Sequence, residues 1–163
     1  VKNSKYERIL FLDADTKFEN NFLELALQEI DKNRTDIGGC LVYPLSDNMI
    51  DITFFWIFRI FITIFHNYSG FNGCCIFTKK SLHNEVNGFD ETIKVSEDFD
   101  YTRKLKKLTK LSLLKNVYIF TSIRRFQKHG RFRTGIKIAL IGLYTLIFGK
   151  ITSNLFNYKF NEE

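Results

Sequence analysis

With 163 residues, 45% of them apolar, the chain is long enough for one domain with a sizeable core. Its net charge of +6 is unevenly held, because from Arg103 to Lys137 every charged side chain is Lys or Arg. The three cysteines, Cys40, Cys74 and Cys75, exclude a C-x-x-C metal or redox motif and fit a reducing compartment, where they act as small core hydrophobes.

The chain opens on Val1 and goes almost directly into an apolar run, so no signal peptide is expected and a chain trimmed at its start is. Ile9 to Leu12 reads as a buried strand that runs into two acids one residue apart, Asp13 and Asp15. Carboxylates that leave a core together are costly unless paired, protonated or on a cation, and hard divalent ions prefer such oxygen ligands. An Asp-rich turn leading into the next helix is the alternative reading. Asn20 or Asn21 then caps a helix through about Lys32, with Phe22, Leu23, Leu25, Ala26 and Ile30 as its apolar stripe. Ile37 to Tyr43 is a strand closed by Pro44, and strand, helix and strand in this order predict an α/β layered unit with a largely parallel sheet.

Ile52 to Phe65 is an apolar run of 14 residues with Arg59 at its centre, short of the ~20 residues a membrane span needs. It reads as a buried core helix or as an interfacial helix with Trp56 at headgroup level and Arg59 snorkelling. Glycines around Phe71, at Gly70 and Gly73, predict backbone that passes close to something bulky before a short strand. Lys79 to Val86 reads as a short helix stopped at Asn87-Gly88. Ser96 then caps a helix to about Leu108, with Glu97, Asp98 and Asp100 in its first turn. Acids there are favoured by the helix dipole alone, yet a helix start beside a cleft is also a place to aim a catalytic carboxylate.

Leu113 to Thr121 reads as a strand, followed by Arg124 and Arg125, a pair suited to bidentate phosphate contacts. Ile136 to Gly149, bounded by Lys137 and Lys150, covers ~20 Å as a helix. After so basic a stretch it suits an anionic membrane surface, with docking on its own domain as the alternative. The tail from Ser153 is polar and expected to fray.

In series, Ile9-Leu-Phe-Leu-Asp13-Ala-Asp15, Gly73-Cys-Cys-Ile-Phe-Thr-Lys-Lys80, Val86-Asn-Gly88-Phe89-Asp90-Glu91 and Glu97-Asp98-Phe-Asp100 resemble the inverting family 2 glycosyltransferases. The resemblance spans about Tyr6 to Leu108, and Ser122 to Phe126 looks like the end of membrane-associated members. It implies a GT-A-like mixed sheet flanked by helices, with residues 1–121 a partial catalytic domain and 122–163 a basic, membrane-proximal helical tail. Asp13 and Asp15 would hold Mn²⁺ or Mg²⁺ on the diphosphate of a nucleotide-sugar donor, with Asp13 also near the ribose or sugar. Asp98 would be the general base, Glu97 would orient the site or meet the acceptor, and Asp100 would support them. Gly73 would approach the donor sugar, while Arg124 and Arg125 would meet phosphate of the donor or of a lipid-phosphate acceptor.

The resemblance further implies a glycan or lipid-phosphate acceptor, a place on the cytoplasmic face of a membrane, and no nucleic-acid partner. The family's first half, with its acid that contacts the base, has no counterpart before Tyr6, so this chain alone is expected to bind nucleotide weakly. A haloacid dehalogenase-like phosphatase is disfavoured because Thr16 directly follows Asp15. The non-enzyme alternative is a membrane-surface or nucleic-acid-binding module built on the basic run.

Overall fold

The computed structural model describes residues 1–71 and 73–152. Its strands are β1 (Arg8–Leu12), β2 (Thr16–Lys17), β3 (Ile37–Pro44), β4 (Cys75–Lys79) and β5 (Leu111–Thr121). Its helices are α1 (Phe22–Asn33), α2 (Met49–Ser69), α3 (Lys80–Glu85), α4 (Glu97–Lys106), α5 (Arg124–His129) and α6 (Arg131–Phe148). The strands form one sheet in the order β1-β4-β3-β5-β2. The expected largely parallel sheet is corrected to a mixed one. β1 and β3 do run in the same direction, as a strand–helix–strand unit dictates, but β4 enters between them from the opposite end. Parallel pairing is left to β3 and β5.

Alternation along β3 builds a core on each side of the sheet. Cys40 and Val42 face Phe22, Ala26 and Ile30 of α1, while Ile37 joins Ile62 of α2 and Tyr101 and Leu105 of α4 on the other face. The predicted α1 stripe holds except at Leu23, which is exposed. Asn21 precedes the helix without a side-chain cap. Glu29 takes a buried place instead: its carboxylate accepts from the Lys115 and Asn116 N–H groups, at 2.8 and 3.1 Å, where β5 bulges out of register with β3. A buried acid is tolerated there because it satisfies backbone donors that the ladder leaves without partners.

The apolar run after β3 is longer as a helix than its composition suggested. α2 has 21 residues, and among the described residues it alone is long and apolar enough to cross a membrane. Residues flanking the run extend it, because Asn48 caps the Ile50 N–H at 2.9 Å and the polar His66 to Ser69 turn stays helical. Its inner stripe, Phe55, Phe58, Phe61 and Ile62, packs against the two cores. Arg59 lies over the Tyr43 ring, 3.7 Å from its centroid.

α6 is fastened across α2. The fully buried Asp51 carboxylate accepts from Arg131 Nε at 3.0 Å and from the Ser46 hydroxyl at 2.7 Å. Gly135 lies flat on Phe54, where a Cβ would meet the ring at 2.6 Å. After α6 the chain turns at Gly149, and Ile151 pairs with Val95 just before α4. The polar tail expected from Ser153 lies outside the described residues.

Candidate active site

The first acid pair stands where it must if β1 ends at the rim of the sheet. Asp13 and Asp15 are exposed in the short loop between β1 and β2. That loop is closed by Thr16, whose hydroxyl donates to the Asp13 carbonyl at 2.7 Å. The Asp15 carbonyl accepts from the Ser122 N–H at 3.3 Å, which fixes the loop to the end of β5 beside Arg124 and Arg125. Both arginines are exposed in the first turn of α5.

The second acid group starts α4. Ser96 does not cap that helix as expected; its backbone is left-handed, φ 65°, and its side chain makes no capping bond. Asp98 takes up the local donors instead. One carboxylate oxygen accepts from the Phe99 N–H at 2.8 Å, and the other forms a short bond with the Gly73 N–H. Burial is the main cause that raises the Asp98 carboxyl from the ordinary 3.8 to about 7, with the neighbouring Glu97 charge adding to it.

The two groups meet at Gly73-Cys74. The Asp13 N–H donates to the Cys74 carbonyl at 3.4 Å, extending the β1–β4 ladder by one bond, while the preceding residue binds Asp98. The Cys74 thiol is pushed well up by burial and then by the charges of Asp13, Asp98 and Asp15, so it senses both groups. A side chain at position 73 would press on Asp98, since a Cβ there lies 3.1 Å from the Asp98 Cβ. The glycine is therefore needed for the close approach that its flanking residues predicted.

Asp100 faces elsewhere: it is buried, 3.1 Å from Lys104 Nζ and 3.8 Å from Lys150 Nζ. Glu97 is half-buried at the start of the helix. Two residues that sequence reasoning passed over hold the site together. Thr102 Oγ1 accepts from the Phe71 N–H at 2.9 Å and donates to the Asp98 carbonyl at 2.9 Å, so it locks the glycine loop to α4. Phe71 lies on the bare Cα of Gly39 in β3, where a Cβ would meet its ring at 2.4 Å. Cys74, given no chemistry earlier, carried a signal in its place next to Gly73.

A mixed sheet with two acid groups converging at one rim, one on a strand-end loop and one on a helix start, has the architecture of a GT-A-like transferase domain. Residues 8–136 match the model of Glycosyl transferase family group 2, and the chain belongs to that family. It is similar in fold to Staphylococcus aureus TarS 1–349, at 14% identity and a TM-score of 0.54, over 90% of this chain and 43% of that one. The same TarS fragment in complex with UDP-GlcNAc gives 16% identity and a TM-score of 0.55, over 90% and 45%. The chain thus spans less than half the length of these structures. No curated protein sequence matches it.

Proposed function

We propose that this chain carries the catalytic acids of an inverting glycosyltransferase that moves a sugar from a nucleotide diphosphate to an acceptor hydroxyl or lipid phosphate. The observation that carries the reading is the meeting of Asp13 and Asp98 on the adjacent residues Gly73 and Cys74. Asp98 accepts the acceptor's proton. A carboxyl poised near neutrality suits that task better than one at the ordinary value. Glu97 stands beside it to orient the acceptor, and Gly73 leaves room for the donor sugar.

Asp13 and Asp15 supply exposed hard oxygen donors, which fit Mn²⁺ or Mg²⁺. Among the described residues no group of three or more His, Cys, Asp or Glu side chains could hold a metal. A pair of carboxylates therefore suits an ion that takes its other ligands from phosphate and water. Held by Asp13 and Asp15, such an ion would supply positive charge to offset what builds on a departing diphosphate. Arg124 and Arg125, tied to the same loop through Ser122, add positive charge beside it. The UDP-GlcNAc held by TarS supports a nucleotide-sugar donor as the class.

The reading extends to the cytoplasmic face of a membrane. The outer faces of α2 and α6 expose Trp56, Ile57, Ile64, Leu140, Ile147 and Phe148, next to the basic stretch. Vesicles containing anionic lipid should sediment the protein and neutral ones should do so less. The central test is nucleotide release from a panel of UDP- and GDP-sugars, with membranes as acceptor source. Asp98→Asn should lose activity by about 10²–10⁴-fold. An Asp98→Asn protein that transfers sugar at the wild-type rate overturns the assignment.

A further inference from the structure

We infer that the segment Gly149–Ile151 is a strap that sets the acid-bearing end of α4, with Lys150 and Ile151 acting as positioning residues for Asp98. The inference deepens the reading of Asp98 as the base and rests on it.

Three observations converge on the strap. Lys94 N–H donates to the Ile151 carbonyl at 3.1 Å, and Val95 pairs with Ile151 in an antiparallel bridge. Ile151, Val95 and Ile141 form a small buried apolar cluster with Tyr144, separate from the two cores that hold the sheet. Lys150 Nζ stands 2.6 Å from Asp90 Oδ2 and 3.8 Å from Asp100 Oδ2, so one ammonium links the loop before α4 to the first turn of α4. Lys150 is also the first cause that holds the Asp90 carboxyl well below the usual range.

The strap grips the chain one residue before Ser96, whose left-handed backbone a non-glycine residue keeps only where its surroundings hold it. Glu97 and Asp98 follow at once. On the opposite side the Gly73 N–H and Thr102 hold the same turn. The start of α4 is therefore clamped from two sides, by the glycine loop and by the strap. The rest of the helix does not need the strap, because Tyr101 and Leu105 are anchored in the core beneath the sheet. Loss of the strap should loosen the acid-bearing turn and leave the body of α4 in place. Gly149, at φ 84°, makes the turn that brings the strap back from α6.

The test uses hydrogen exchange on the full chain, comparing wild type with Lys150→Met, Ile151→Asp and Lys150→Arg. Exchange at 94–100 should quicken about threefold or more in Lys150→Met and about tenfold or more in Ile151→Asp. It should stay near wild type in Lys150→Arg, with β3 and residues 101–106 unchanged in all three. In the sugar-transfer assay, kcat should fall on the order of tenfold in Lys150→Met at constant donor KM, and Lys150→Arg should restore it. Unaltered exchange at 97–100 in both disruptive variants overturns the inference. So does a uniform rise that includes α1 and β3, or an unchanged kcat. If exchange responds locally while no form of the protein transfers sugar, the strap stands and the assignment of Asp98 as a base falls.

Discussion

Replacing Asp98 by Asn should make the protein gain stability relative to wild type as pH rises, while removing its activity. In the folded state the carboxyl is raised from 3.8 to about 7, chiefly by burial. The folded chain therefore keeps this proton at pH values where the unfolded chain has released it. Stability is fully present below about 4, falls as pH rises, and has lost the whole contribution above about 7. At about 1.4 kcal/mol for each tenfold change in proton affinity, the displacement amounts to about 4 kcal/mol. Asp98 is only half-buried, and solvent screening reduces the expected effect to about 1–3 kcal/mol. Asparagine keeps one oxygen for the Gly73 N–H but turns its NH2 toward the Phe99 N–H, a loss that does not depend on pH and so cancels in a comparison between two pH values. Urea unfolding of both proteins at pH 4 and pH 8 makes that comparison. The stability of the variant relative to wild type should rise by about 1–3 kcal/mol from pH 4 to pH 8. A difference equal at both values, or one that falls as pH rises, refutes the account of Asp98 as a carboxyl strained by burial.

Asp13→Asn with Asp15→Asn should abolish Mn²⁺ binding, read by electron paramagnetic resonance of the free ion, without lowering Tm. Gly39→Ala places a methyl 2.4 Å from a Phe71 ring that is itself buried, and should cost about 1–3 kcal/mol by thermal unfolding. Pairing it with Phe71→Leu should recover part of that loss. Arg131→Met removes the arginine that pairs with the buried Asp51 carboxylate and should cost about 3–5 kcal/mol in urea. Asp51→Leu in the same background should recover much of it.

What could be read beforehand was what depends on neighbours along the chain. β1 and its terminal acids followed from four apolar residues and an abrupt change to Asp13. The stop at Asn87 and Gly88, both at positive φ, followed from residue type. The insertion of β4 between β1 and β3 was not legible, because strand direction depends on where a long helix returns the chain. Nor was the extent of α2: its last turn is polar and is closed by the Ser69 hydroxyl on the Phe65 carbonyl and the Gly70 N–H on that of His66. Ser96 misled because a residue type that caps well takes a left-handed backbone here, φ 65°, and makes no cap. The acids of the site were visible as types, but their convergence was not. It depends on Gly73 and Cys74 lying between them, and on Thr102, a threonine indistinguishable locally from any other on a helix.

The attachment of Asp13 and Asp98 to consecutive residues has a mechanical consequence. Neighbouring Cα atoms stand 3.8 Å apart and cannot stretch, so while both bonds hold, the Asp13 backbone and the Asp98 carboxylate hang on one inextensible link of the chain. A shift of that link carries both acid groups with it.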